Sequence, residues 1–242
     1  MEQNSQRIAI FGASGSIGQA LIWRFLNKGW DVLALNRTGI TPKGAKFPQN
    51  VRWLSCDIDN SIFPENISEE NVPINAAVWA QGQNFNDSIY QCDLKAHERM
   101  YRANVLFILH TMGILLRGNY LASPSRFCII SSIWQNIARQ NKLSYSITKS
   151  ALQGLVLSAS LDLGLDGHLL NAVLPGALDT PMTRSNLNKE QIDEIEGSTM
   201  FNRLSTLEDL SSLVEYLCSP LNTGITGQFI SADLGYSHAR II

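Results

Sequence analysis

A short apolar strand runs straight into a glycine turn and then into a helix, and this junction limits the chain more than any other feature. Arg7-Ile-Ala-Ile-Phe11 has the apolar, β-branched character of a buried strand, Gly12-Ala-Ser-Gly15-Ser-Ile-Gly18 follows directly, and helical periodicity begins near Ile17. Glycines there permit positive φ and close backbone approach, and a helix N-terminus offers free N–H groups to an anion. A tight packing turn would use the same residues. The strand before and the helix after favour a phosphate cradle made of Gly12, Ser14, Gly15, Ser16, Ile17 and Gly18.

The alternation continues to the end of the chain. Strands are predicted over Arg7 to Phe11, Asp31 to Leu35, Arg52 to Ser55, Ile74 to Ala80, Arg126 to Ser131, Leu169 to Leu174 and Gln228 to Ala232. Helices are predicted over Ile17 to Lys28, Leu94 to Leu116, Tyr145 to Leu163 and Leu207 to Cys218. This order predicts an α/β fold, a doubly wound seven-stranded parallel sheet with helices on both faces. With 242 residues, 45% of them apolar, and no repeat or low-complexity linker, the expectation is one domain over residues 1–242.

Composition removes several function classes. Nineteen Lys plus Arg against 21 Asp plus Glu give a net charge of -2, which leaves no surplus to neutralise a nucleic acid. No apolar run approaches the roughly 20 residues that span a bilayer, and the polar start MEQNSQ lacks a secretory pattern. Cys56, Cys92, Cys128 and Cys218 form no C-x-x-C pair and read as free thiols of a reducing compartment, so a cytoplasmic protein is expected. His97, His110, His168 and His238 show no metal-ligand spacing, and no metal is expected.

The second strand ends Leu35-Asn36-Arg37-Thr38, about 20 residues past the glycine turn, where an acid would hold the ribose 2′-hydroxyl of NAD. Arg37 stands there instead, a cationic fork suited to a 2′-phosphate, with Asn36 and Thr38 as neutral donors; a solvated strand-end arginine is the plainer alternative. NADP(H) is therefore preferred, and NAD(H) stays open. The helices from Leu94 and from Tyr145 carry more apolar positions than one sheet-facing stripe needs, which predicts a homo-oligomer, a tetramer or a dimer.

Tyr145-Ser-Ile-Thr-Lys149 sets a phenol and an ammonium at i and i+4 on one helix face. A phenol titrating near ~10 needs about 4 kcal/mol from its surroundings to approach neutrality, which Lys149 and a cationic nicotinamide ring could supply. Alone, such a pair is common on surfaces. Its setting differs: residues 126–150, RFCIISSIWQNIARQNKLSYSITKS, with Ser132 thirteen positions before Tyr145, resemble the strand, serine and Tyr-Lys segment of the classical short-chain dehydrogenase/reductase family. The resemblance covers nearly the whole chain. GASGSIG is similar to the family's nucleotide turn, Cys56-Asp57-Ile58 to its adenine-contacting segment, Asn104 to its helix asparagine, and Leu174-Pro-Gly-Ala-Leu-Asp-Thr-Pro-Met182 to the loop that closes on nicotinamide. FNRLSTLEDLSSLVEYLCSP and TGITGQFISADLG resemble its C-terminal helix and last strand.

The resemblance implies a Rossmann fold and an oxidoreductase that interconverts a carbonyl and a secondary alcohol by hydride transfer. It implies Tyr145 as general acid/base, Lys149 as the group that lowers its pKa and holds the nicotinamide ribose, and Ser132 as the residue orienting the carbonyl. Asn104 would hold a water leading from Lys149 to solvent. Cofactor contacts would come further from Asp57, Ile58, Ala80, Gln81, Gly82, Pro175, Gly176, Leu178, Thr180 and Met182, with Trp134 beside Ser132 and Tyr145 on the substrate side. Two departures stand out. Ser16 occupies the family's middle glycine position and Gly15 comes one earlier, a spacing shared with extended, epimerase-type members; Trp79-Ala80-Gln81-Gly82 replaces Asn-Asn-Ala-Gly.

A catalytically weak nucleotide-sensing protein on the same fold and an epimerase-type enzyme are the alternatives. The resemblance implies a small carbonyl or alcohol as substrate. Gln83, Asn84, Asn86 and Asp87 after the fourth strand, with Gln135, Asn136, Gln140 and Asn141 after Ser132, suggest a polar or hydroxylated one, although loop solvation explains the same residues.

Overall fold

The computed structural model describes residues 6–48, 50–64, 67 and 72–238. Seven strands, β1 (Arg7–Phe11), β2 (Asp31–Asn36), β3 (Val51–Ser55), β4 (Ile74–Trp79), β5 (Leu121–Ile130), β6 (Leu169–Pro175) and β7 (Phe229–Ala232), form one parallel sheet in the order β3-β2-β1-β4-β5-β6-β7. The chain winds outward from β1 to β3 and then restarts at β4 on the other side of β1. A crevice therefore opens at the carboxyl ends of β1 and β4, where the winding reverses.

Period-two alternation divides β1 between two cores. Ile8 and Ile10 join a core built with α1 (Ser16–Leu26) and α7 (Leu207–Cys218), through Leu21, Ile22, Phe25, Leu210, Val214 and Leu217. Ala9 and Phe11 join the opposite core, to which α3 (Phe107–Arg117) and α4 (Leu143–Gly164) contribute Ile108, Met112, Leu152 and Val156. Both faces of the sheet are covered, as continuous apolar strands require.

The structure extends and divides several predicted elements. β5 begins at Leu121 rather than Arg126, because Leu121 pairs with Ile74 before an irregularity in register. The long helix expected from Leu94 is α2 (Leu94–Tyr101), a π turn (Arg102–Leu106) and then α3. The structure adds two helices, α5 (Pro181–Asn186) and α6 (Lys189–Gly197); α6 is started by a capping box between Asn188 and Gln191, a local signal the sequence does carry. Trp79, where the family resemblance puts an asparagine, is fully buried, stacks on Phe11 with centroids 5.4 Å apart, and donates its indole N–H to Thr111 Oγ1 at 2.8 Å. Cys56, Cys128 and Cys218 are buried free thiols, and no helix among the described residues is long and apolar enough to cross a membrane.

Candidate active site

The glycine turn closes onto the end of β4. Gly12 sits at φ 78°, and a Cβ there would stand 2.4 Å from Gln81 N and 2.8 Å from the Ala80 carbonyl carbon. Gly18 is equally constrained, since its Cβ would meet Gly12 O at 2.4 Å. Gly12 N and Ala13 N both donate to Leu35 O, at 3.0 and 3.1 Å, and Ala80 N donates to Phe11 O at 2.9 Å, so the turn is tied to β2 and β4. Gly15 caps α1 in extended conformation and would meet nothing closer than 3.5 Å. Ser14, Gly15 and Ser16 are exposed above the crevice, Ile17 is half-buried, and the first N–H groups of α1 lie behind them.

The predicted catalytic residues meet at the carboxyl end of β5. Ser132 is buried and caps the short 3₁₀ turn Ile133–Gln135, its Oγ accepting from Trp134 N at 3.3 Å. Tyr145 lies on the first turn of α4, close enough to Ser132 for the serine hydroxyl to ease ionisation of its phenol. Lys149, one turn later, puts its Nζ 5.6 Å from the centre of the Tyr145 ring and donates to Ile130 O at 3.0 Å. Burial pushes the Tyr145 phenol up to about 12, against a smaller opposite effect from Ser132, and pushes Lys149 down to about 8. In the protein alone the phenol thus moves away from neutrality, because desolvation outweighs the help it receives from Ser132.

Asn104 sits in the π turn and is buried. Its Oδ1 accepts from Gln83 N at 2.7 Å, and its Nδ2 donates to Gln83 O and Thr148 Oγ1, both at 3.0 Å. The amide thus clamps the chain after β4 against α4. A Cβ on Gly82 would lie 3.4 Å from Asn104 Oδ1 and 3.9 Å from Lys149 Nζ, so both polar ends face the same glycine.

At the end of β2, Asn36 organises the turn: its Oδ1 accepts from Thr38 N and Gly39 N at 3.0 and 2.7 Å, and its Nδ2 donates to Ile40 O at 2.9 Å. Arg37 and Thr38 are exposed on that turn. Asp57 spends both carboxylate oxygens inside its own turn, on Asp59 N at 3.0 Å and Asn60 Nδ2 at 2.8 Å; the side chain of Ile58 lies outside the described residues. After β6, which ends at Pro175, Gly176 presses on Asp233, with its Cβ position 3.0 Å from Asp233 Cβ. Asp179 N donates to Ser205 O and Ser205 N to Ala177 O, which directs the N–H and C=O of Leu178 to the opposite side. Thr180 is buried as the cap of α5, and Met182 is exposed.

The amide-rich mouth is only partly a mouth. Asp87 is buried and caps α4 through Ser144 N at 3.0 Å, and Gln135 is buried, accepting from Ser131 Oγ at 2.8 Å. Asn84, Asn86, Asn136, Gln140 and Asn141 remain exposed. Thr148 was not singled out from sequence, yet it links Asn104 to the backbone at Tyr145, donating to Tyr145 O at 2.8 Å; its position between the tyrosine and the lysine was the available signal.

A family model described as enoyl-(acyl carrier protein) reductase matches residues 12–237. The chain is 35% identical over 245 residues to the short-chain dehydrogenase/reductase eriH of Hericium erinaceus, covering 93% of this chain and 95% of eriH. It is 26% identical over 235 residues to the uncharacterized oxidoreductase YmfI of Bacillus subtilis (strain 168), covering 94% and 97% of the two chains. The solved structure of ElxO with NADP bound shares the fold at a TM-score of 0.84 and 22% identity, covering 96% of this chain and 98% of that one. With a glycine turn locked onto β4, a Ser-Tyr-Lys group at the end of β5 and a family match over nearly its whole length, the chain belongs to the classical short-chain dehydrogenase/reductase family of oxidoreductases.

Proposed function

We propose that this protein is an NADP(H)-dependent oxidoreductase that interconverts a carbonyl and a secondary alcohol, with Tyr145 as general acid/base. The observation that carries the reading is the convergence of Ser132, Tyr145 and Lys149 beside the crevice where Gly12 abuts Ala80 and Gln81. The crevice fits a dinucleotide: close approach is guaranteed by two glycines that admit no Cβ, and the α1 N-terminus faces it. Gly12 to Gly18 would hold the pyrophosphate, Arg37 a 2′-phosphate, and Lys149 with the Leu178 backbone the nicotinamide end. When bound, the nicotinamide cofactor supplies or accepts the hydride.

The chain's own residues handle the proton. A phenol held near 12 stays protonated at neutral pH, the form that can donate to a carbonyl oxygen during reduction. Ser132 Oγ orients that oxygen. In the oxidative direction Tyr145 must ionise, which a charged Lys149 and a cationic ring favour by opposing the desolvation cost. The exposed Arg37 guanidinium has no ion-paired or hydrogen-bonded partner among the described residues, which supports the NADP(H) preference. We further infer one functional domain, a cytoplasmic location and a homotetramer or dimer formed through the outer faces of α3 and α4.

The test is NADPH oxidation over a panel of carbonyl compounds. Tyr145→Phe is expected to lower turnover by ~10²-fold or more while NADPH affinity, read by fluorescence titration, stays within a few-fold. Turnover at the parent rate in that variant would overturn the assignment. Tight cofactor binding with no turnover of any carbonyl by the parent would favour a nucleotide-sensing role instead.

A further inference from the structure

The proposed mouth of the site holds two cations that no acid pairs with. Arg139 lies half-buried with its guanidinium carbon 6.0 Å from the centre of the Trp134 ring. Among the described residues it has no hydrogen-bonded or ion-paired partner. Lys142, three residues before Tyr145, donates one hydrogen bond, to Asn84 Oδ1 at 2.8 Å. Asp87, the acid whose charge reaches it, is buried, its oxygens bonded to Ser144 N and Ser144 Oγ. The two cations feel one another: burial first, and then the charge of Arg139, lower the pKa of Lys142, and Asp87 acts against them.

Trp134 links these cations to the chemistry. Its backbone N–H donates to Ser132 Oγ at 3.3 Å, and its ring meets Tyr236 edge-on, with centroids 6.2 Å apart and planes at 81°. The residue thus has Ser132 on its backbone side and Arg139 over its ring face. Half-buried like charges without an ion-paired carboxylate raise the free energy of the empty site, Asp87 offsetting only part of it, and an oxyanion bound by both cations removes that cost.

We propose that Arg139, over Trp134, and Lys142, on the approach to Tyr145, bind an acid group of the substrate, so that the substrate is an oxyanion-bearing carbonyl compound or the corresponding hydroxy acid. This rests on the reductase reading above and narrows it. Trp134 supplies the flat wall for the carbon skeleton between the acid group and the reacting carbonyl. Carboxylate and phosphate share the required chemistry.

The experiment compares 2-oxo, 3-oxo and 4-oxo acids with their methyl esters as substrates, and dihydroxyacetone phosphate with dihydroxyacetone. In parallel, calorimetry measures binding of the same oxo acids to protein saturated with NADP, which needs no turnover. For one chain length, kcat/KM for the acid is expected to exceed that for the ester by about 10- to 100-fold, the worth of hydrogen bonds to a charged group. Arg139→Gln and Lys142→Met are expected to bring the acid-to-ester ratio toward one, mainly through KM. A preference for the phosphate pair alone identifies the oxyanion as phosphate and supports the site. Equal use of acids and esters overturns this inference and leaves the reductase reading standing. If no carbonyl turns over but oxo-acid binding is lost in Arg139→Gln, the anion site stands and the reductase reading falls. If neither turnover nor binding distinguishes acid from ester, the inference is overturned.

Discussion

Burying a lysine without a carboxylate partner is costly, and Lys149 bears that cost in the unloaded protein. Burial lowers its pKa from the ordinary 10.5 to about 8. The folded value lies below the unfolded one, so the penalty is complete below about pH 8 and fades as pH rises to 10.5. Lys149→Met removes a penalty of about 3 kcal/mol at pH 7, offset in part by leaving the Ile130 carbonyl unpaired. A net gain of ~1–2 kcal/mol at pH 7 that disappears toward pH 10.5 is expected in denaturant melts, with turnover lost; a gain independent of pH would contradict the assignment. At the other end of the crevice, Arg37→Ala is expected to raise KM for NADPH about tenfold while leaving NADH little changed. Equal effects on the two cofactors would remove Arg37 from the phosphate site. That Tyr145 and Lys149 share one helix face was legible from their spacing, and Ser132 from the family resemblance of the segment between β5 and α4. The Ile130 carbonyl, Thr148 and Arg139 were not, because their roles follow from where separate segments meet.

Helices and turns show which local signals are binding and which are permissive. The three glycines of the turn look alike in sequence but not in space. Gly18→Ala would press a methyl into Gly12 O at 2.4 Å and is expected to cost about 1–3 kcal/mol or more, whereas Gly15→Ala meets only a 3.5 Å contact at φ −75° and should stay within about 0.5 kcal/mol. Thermal melts of the two variants check this, and a larger loss for Gly15→Ala would show that the turn is set differently. The π turn within the helix from Leu94 to Arg117 was hidden from periodicity, since apolar spacing continues across it. What makes it useful is Asn104, whose amide reaches the Gln83 backbone and Thr148 from that turn. The capping box at Asn188 shows the converse, a short helix whose start was written locally but whose weak apolar pattern gave no reason to look for it.

At the scale of the whole molecule, the apolar excess of α3 and α4 remains on the outside: Leu109 is 58% exposed, Leu157 50% and Leu161 77%. Pairing these faces between copies would bury them and brace the helix that carries Tyr145 and Lys149. Light scattering at micromolar protein is expected to give a tetramer or dimer, and Leu157→Glu with Leu161→Lys to lower the mass while leaving each chain folded. A fully active monomeric parent would sink the assembly. The sequence by itself determined the α/β alternation, the sheet-covering helices, the glycine turn and the Tyr-Lys pair, because each is set by periodicity or by neighbours a few residues apart. Tertiary structure alone decided that Trp79 stacks on Phe11 and bonds Thr111, that Asp87 and Gln135 face inward, and that Arg139 lies over Trp134. Those outcomes depend on the register in which β1, β4 and β5 align and on the loops that register brings together, and no local spacing encodes it.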